Sequence, residues 1–284
     1  MKKYVILIPI YNDRESLTKL IENINSEIEG INSEISIVVI NDASSQQIID
    51  EYQNTENINS IEIINMKENR GHARCIASGL KYIYEKKEFD YVIPMDGDGE
   101  DRPEEIKNFI ELAEQTDDKS IVGERVKRSE SLFFKFCYQF HKFLTLSFTG
   151  QSIKFGNFTC LSKATIEKML KEKSTWNSFS GSLKKIEKDL LSIPSIRGVR
   201  YHGPTKMSFL KLIRHSLLII STFRKEVTIR LSILFLIYST LIFYFFKNTF
   251  LLLLLPVAAA NALIIFTLFF VYEKTLLKQK LFNS

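Results

Sequence analysis

Two uncharged apolar runs near the C-terminal end constrain this chain more than any other feature. Residues 231–246 carry no charge and extend back toward Val227, and residues 249–272 form 24 consecutive positions without one. About 20 apolar residues suffice to cross a bilayer as a helix. In lipid, every backbone polar group of such a segment must be satisfied within the helix. The link at 247–248 leaves room only for a tight turn, so the spacing predicts a transmembrane helical hairpin over 227–272; a buried core hairpin is the competing reading. Arg224, Lys225 and Arg230 precede the hairpin, Lys274, Lys278 and Lys280 follow it, and only Lys247 lies between. The positive-inside rule then places both ends in the cytoplasm, with a short tail at 273–284. Residues 1–3 lead straight into a strand-like run with no signal-type segment. The expectation is an integral membrane protein with its N-terminal domain and both termini cytoplasmic.

The rest of the chain is of another kind. Residues 4–8, 35–40, 60–65 and 90–95 read as short buried strands. Residues 14–29, 71–86 and 103–115 carry helical periods, with Leu17, Leu20, Ile21 and Ile24 on one face of the first and Pro103 in the first turn of the last. A short helix fits 45–54. This alternation predicts an α/β domain over 1–207 with an open, mostly parallel sheet. Ligands of such folds bind beyond the carboxyl ends of the strands. Residues 131–148 hold seven aromatic residues, and 208–223 show a broad apolar face with Lys211, Arg214 and His215 away from it. Both suit amphipathic helices in the membrane interface, the second as a juxtamembrane helix over 208–226; helices packed on the domain are the alternative. The net charge is only +5, which gives no nucleic-acid footprint. Cys75, Cys137 and Cys160 have no metal-ligand spacing and suit a reducing compartment.

The strongest local signal is Asp96-Gly97-Asp98, between a buried strand and a helix. Two carboxylates one residue apart in a tight loop can offer hard oxygens to Mg²⁺ or Mn²⁺, which also takes diphosphate oxygens. Asp42 ends the second strand. It can accept from a base or ribose, or it can open a turn and cap the next helix. Pro9-Ile10-Tyr11-Asn12-Asp13 ends the first strand, where Tyr11 can line a base pocket and Asp13 can accept from a nucleoside, or the segment is turn chemistry alone.

Together these segments resemble the inverting glycosyltransferases of family 2, and within them the polyprenyl-phosphate sugar transferases such as dolichyl-phosphate mannose synthase and the bactoprenyl-phosphate glucosyltransferases. The resemblance covers nearly the whole chain. The family's P-x-Y-N-E appears as Pro9 to Asp13, with Asp in place of Glu; its D-D-x-S as Asn41-Asp42-Ala43-Ser44; its N-x-G as Asn69-Arg70-Gly71. Its D-x-D-x-Q-x-x-P-E appears as Asp96 to Glu104, with Glu100 in place of Gln. Gly123-Glu124-Arg125-Val126-Lys127-Arg128 is similar to G-x-R-x-x-R, and Arg200 to Lys206 is similar to R-x-x-G-x-S-K, with Thr205 for Ser. One match fails: no Asp or Arg stands at 155–160, where many relatives carry an Asp and a Gly-Phe-Arg, and Asn157 can hydrogen-bond but cannot act as a base.

The resemblance implies a GT-A-type, Rossmann-like fold that moves a sugar from a UDP- or GDP-linked donor to polyprenyl phosphate at the cytoplasmic face. It implies donor contacts from Pro9, Tyr11, Asp13, Asp42, Arg70, Gly71 and Asp96, and a metal on Asp96 and Asp98 with Glu100 beside it. Arg125, Arg128 and Lys206 would screen the phosphates, and Arg125, Arg200 and Lys206 would hold the acceptor's, a task suited to forked donors. For Arg125 and Arg128 a solvated basic loop is the plainer reading, and for Lys206 a juxtamembrane anchor. Relatives assemble as tetramers, so a homo-oligomer is expected. A phosphate acceptor needs no general base, whereas a hydroxyl acceptor does. The single tryptophan, Trp176, is not part of the Q-x-x-R-W string of polysaccharide-extending members. Two rivals remain: a hydroxyl acceptor, with Asp101 as base, and an inactive membrane-tethered nucleotide-sugar scaffold.

Overall fold

The computed structural model describes residues 1–46, 52, 55–127, 139, 143, 145–203 and 209–280. The chain divides into two compact units, residues 1–130 with 154–206, and residues 131–153 with 207–284.

The first unit is built on a seven-stranded sheet. Its strands are β1 (Lys3–Ile10), β2 (Glu34–Asn41), β3 (Ser60–Asn65), β4 (Tyr91–Pro94), β5 (Ile121–Lys127), β6 (Phe155–Ser162) and β7 (Leu191–Ile196). They lie in the order β3-β2-β1-β4-β6-β5-β7. β1 pairs in parallel with β2 and β4, β2 with β3, and β5 with β7; β6 runs antiparallel to both its neighbours. Among the described residues of this unit the α-helices are α1 (Arg14–Glu27), α2 (His72–Lys86), α3 (Ile106–Gln115), α4 (Lys163–Lys171) and α5 (Phe179–Ile186).

Strand β1 shows why both sheet faces must be covered. Successive side chains point to opposite faces. Tyr4, Ile6 and Ile8 pack with Leu17, Leu20, Ile21 and Ile24 of α1 and with Phe109 and Ile110 of α3. Val5 and Leu7 pack on the other face with Ile76, Leu80 and Ile83 of α2 and with Ile166, Met169 and Leu183 of α4 and α5. The chain winds outward from β1 through β2 to β3, then returns to place β4 on the other side of β1. The switch point, where open α/β sheets bind ligands, therefore lies between the carboxyl ends of β1 and β4.

The strands and helices expected over 4–40, 60–95 and 103–115 are present, with 103–105 as a 3-10 turn leading into α3. Most of the short helix expected over 45–54 falls outside the described residues; Ser45, Gln46 and Tyr52 within it are not helical. Residues 123–127, for which a solvated basic loop is the alternative reading, are part of strand β5.

In the second unit, α6 (Phe209–Thr222), α7 (Arg224–Phe245) and α8 (Phe250–Lys280) follow one another, with a 3-10 turn at Lys247–Thr249. α7 and the stretch Lys247–Glu273 are each long and apolar enough to cross a membrane. Almost none of either is buried, unlike the core helix of a globular domain. They run antiparallel: Tyr238 Oη donates to the Leu253 carbonyl at 3.0 Å, and the Arg224 guanidinium lies 3.5 Å from the Tyr272 ring centre. α8 continues past 272 through Lys280. Most of the aromatic segment 131–148 lies outside the described residues; Gln139, Phe143 and 145–149 are helical.

Candidate active site

At the carboxyl end of β2, Asp42 is buried. Its Oδ1 accepts the Arg70 amide at 2.7 Å and its Oδ2 the Gly71 amide at 2.8 Å. Both oxygens thus hold the loop that opens α2, a use that neither sequence reading of this residue anticipated. Arg70 itself pairs with Glu68. The ends of β1 and β2 are tied together through Asn12. Its Oδ1 accepts the Ser45 amide at 2.8 Å, and its own amide donates to Ser44 Oγ at 2.9 Å. Asn12 and Ala43 both stand at positive φ, 49° and 55°. Asn tolerates that region better than Ala does, so the loop holds Ala43 against its preference. Tyr11 is exposed beside them.

The loop after β4 carries Asp96, Asp98, Glu100 and Asp101. Asp101 is buried, and its Oδ2 accepts the Asp96 amide at 2.8 Å, which closes the loop. Asp98 Oδ1 accepts the Glu100 amide at 3.0 Å. Burial pushes the Asp98 carboxyl up to about 6 and the Asp101 carboxyl up to about 8, with the charge of Asp96 adding to both. Asp96 itself is held well below the ordinary carboxylate range: burial opposes its charge, but His72, Arg197 and Arg125 outweigh it. His72, the first residue of α2, places Nε2 3.2 Å from Asp96 Oδ1. Asn157 of β6 donates to the same oxygen at 3.3 Å and sits 2.7 Å from His72 Nε2.

A segment after β7 closes over this loop. The Gly198 amide donates to the Glu100 carbonyl at 2.8 Å and the Tyr201 amide to the Asp98 carbonyl at 2.9 Å. Arg197 pairs with Glu100, and Arg200 bridges Asp13 and Asp98, reaching Asp98 Oδ2 at 2.7 Å. The Tyr201 ring lies against Gly99, where φ is +84° and an added Cβ would come within 2.5 Å of the ring, so only glycine fits. Tyr201 Oη accepts from Asn23 of α1 at 2.8 Å.

Arg125 projects from β5 toward β6. Its guanidinium rests on Gly156, where a Cβ would come within 2.5 Å of Nη2. Its charge acts on both Asp96 and Asp101. The fold therefore gathers Asp13, Asp96, Asp98, Glu100, Arg125 and Arg200 at one end of the sheet. Asp42, Arg70 and Gly71 form a support beside them. Arg128 and Lys206 lie outside the described residues. Sequence reasoning missed His72 and Arg197, although each adjoins a segment it had singled out: His72 follows Asn69-Arg70-Gly71, and Arg197 precedes Arg200 by three residues.

The family model described as Glycosyl transferase family 2 matches residues 5–175, the stretch that supplies all of this site except the 197–202 segment. The chain belongs to that family. Its relatives include the undecaprenyl-phosphate 4-deoxy-4-formamido-L-arabinose transferases of Photorhabdus laumondii and Proteus mirabilis. Each is 29% identical, over 229 and 228 residues, covering 75% of this chain and 65% of the relative. The chain thus spans just under two thirds of the length of these relatives. Two solved structures share the fold. Glucosyl-3-phosphoglycerate synthase from Mycobacterium tuberculosis, with Mn²⁺, UDP-glucose and phosphoglyceric acid, has a TM-score of 0.52 at 12% identity and covers 80% of each chain. S. aureus TarS 1–349 with UDP-GlcNAc has a TM-score of 0.51 at 15% identity and covers 88% of this chain and 75% of its own. The GT-A fold that the family resemblance implied is thereby present.

Proposed function

We propose that this family 2 enzyme transfers a sugar from a UDP- or GDP-linked donor to the phosphate of a polyprenyl phosphate, with inversion at the anomeric carbon. The observation that carries this reading is the acidic cluster Asp96, Asp98 and Asp101, set among Arg125, Arg197, Arg200 and His72 at the switch point of the sheet. Such a site suits a diphosphate and a second anion. The names of the relatives support the choice of acceptor.

The cluster fits a divalent cation. Two of its three carboxylates are pushed up, first by burial and then by the charge of the third, an excess of negative charge that a cation relieves. Among the described residues no group of three His, Cys, Asp or Glu side chains is placed to share one ion. Two carboxylates completed by phosphate oxygens is the usual arrangement for Mg²⁺, and Mn²⁺ accepts the same oxygens. Asp96 and Asp98 would hold the ion, and bound there it would neutralise the leaving nucleotide diphosphate. Glu100, expected beside the metal, is engaged by Arg197.

The remaining roles are assigned from the motifs and from what each side chain adjoins. Tyr11 and Asp13 are assigned to the nucleoside by their motif, with Asp13 engaged by Arg200 here, and Asp42 holds the 70–71 loop in place beside them. Arg125 screens donor and acceptor phosphates from one another, with Arg128, Arg200 and Lys206 assigned to the same task by their motifs. A phosphate oxygen is already anionic and attacks without a base. Asp101, the base a hydroxyl acceptor would require, is buried and occupied by the Asp96 amide, which speaks against that rival. The hairpin anchors the enzyme, with the catalytic unit and both termini cytoplasmic, in a homo-oligomer.

The test is mass spectrometry of the lipid product formed by the full chain, in membranes given undecaprenyl phosphate or a neutral glycolipid and a panel of nucleotide-sugars. The expected product is a glycosyl phosphoryl lipid from one donor. Asp98→Ala should abolish it while the protein stays in the membrane fraction. Transfer to the glycolipid alone would overturn the acceptor, and full activity of Asp98→Ala at saturating donor would overturn the metal assignment.

A further inference from the structure

Arg200 is held where a phosphate ligand would be of little use. Its guanidinium bridges Asp13 and Asp98, and the Arg200 and Asp13 side chains are only 13% and 12% exposed. It is not a stray surface arginine. The segment that carries it is fastened to the 98–100 loop by two backbone hydrogen bonds, by the Arg197–Glu100 pair and by the Tyr201 ring on Gly99. Two arginines three residues apart thus occupy two carboxylates of the loop that also carries Asp96.

We propose that the 197–202 segment is a built-in counter-cation strap, in which Arg200, seconded by Arg197, occupies the carboxylates that a divalent cation must take over, so that Arg200 is released for a phosphate only once the cation has arrived. This rests on Asp98 being a metal ligand. The reasoning is electrostatic. Charges this poorly solvated cannot stand uncompensated, so each takes either a cation or a proton, and Asp98 here has taken a guanidinium. A guanidinium and a divalent ion cannot both use Asp98 Oδ2 fully. Whichever binds displaces the other, and the displaced fork is then free to pair bidentately with an anion. Arg200 is in this sense a positioning residue with two alternative partners, and it makes productive binding ordered: cation first, second phosphate after.

The experiment is equilibrium binding of Mn²⁺ to the full chain in detergent micelles, without nucleotide, read from the free-ion electron paramagnetic resonance signal. Arg200→Gln should tighten Mn²⁺ by roughly tenfold to a hundredfold, the scale of one displaced charge-assisted hydrogen bond. Arg200→Lys, which keeps the charge but loses the fork, should fall between Gln and the unchanged chain. Arg102→Gln removes an arginine of the same loop that pairs with Glu104 instead, and should leave the affinity unchanged. Unchanged or weaker binding in both Arg200 variants would overturn the strap, as would equal tightening in Arg102→Gln. Asp98→Asn separates the two readings. If it abolishes Mn²⁺ binding while Arg200→Gln changes nothing, the metal site stands and the strap falls. If Asp98→Asn binds Mn²⁺ as before, the metal assignment fails and the strap with it.

Discussion

Asp42 shows how one carboxylate can matter to a binding site by holding its frame. Each of its oxygens takes one backbone amide of the 70–71 loop, and both amides precede the first turn of α2. Negative charge at a helix N-terminus is favourable, and hydrogen bonds to a charged group are the stronger kind. Asp42→Ala would remove the acceptor of both amides in a buried place. The expected cost is about 3 kcal/mol of stability in the first unit. A denaturant titration followed by intrinsic fluorescence checks this, since Trp176 lies in the same unit. Asp42→Asn, with one acceptor oxygen left, should recover part of the loss. An unchanged midpoint in the alanine variant would remove Asp42 from this anchoring role.

At the scale of elements, the parallel half of the sheet was legible because β1, β2 and β4 are largely buried on both faces and read as near-continuous apolar runs, Tyr4 to Ile8 most clearly. Strands β5 to β7 were not legible. β5 interrupts its apolar residues with Glu124, Arg125 and Lys127, and β7 carries Pro194 at the sheet edge, where the missing N–H is tolerated. The acidic half of the site was legible for a related reason: Asp96 and Asp98 follow a strand that announces itself. His72, Asn157 and Arg197 come from three other elements, and only the fold brings them to the same loop. The hairpin was legible from length and charge, but its internal contacts were not. Arg224 stacks on Tyr272 at 3.5 Å and lies 5.6 Å from the Phe269 ring, at the charged end of the helix pair. A guanidinium over two rings, partly shielded from water, contributes roughly 1–2 kcal/mol. Arg224→Ala should lower the hairpin's resistance to unfolding in mixed detergent–SDS micelles by that amount, with Arg224→Lys in between. Equal stability of all three chains would assign Arg224 to the membrane surface alone.

For the whole molecule, the decisive question is which side of the membrane carries the chemistry. α7 is 22 residues long and the second candidate span 27. At 1.5 Å per residue these reach about 33 and 40 Å, enough for a hydrocarbon core of about 30 Å with some tilt. Their outward surfaces are large and apolar, with Leu234, Leu236, Phe245, Leu252 and Phe266 all exposed. That is the surface lipid would cover. Lys247 alone marks the turn, whereas Arg224, Lys225, Arg230, Lys274, Lys278 and Lys280 crowd the other end. Basic residues are retained on the cytoplasmic side, so the turn should face outward and the site inward, where nucleotide-sugars are made. The thiol of Lys247→Cys should then react with a membrane-impermeant maleimide in intact cells, and that of Gln279→Cys only after the membrane is opened. The reverse pattern would put the active site on the outer face, out of reach of nucleotide-sugar. Protection of both positions in intact cells would return the hairpin to the interior of a protein core, and with it the case for a lipid-borne acceptor would lose its physical basis.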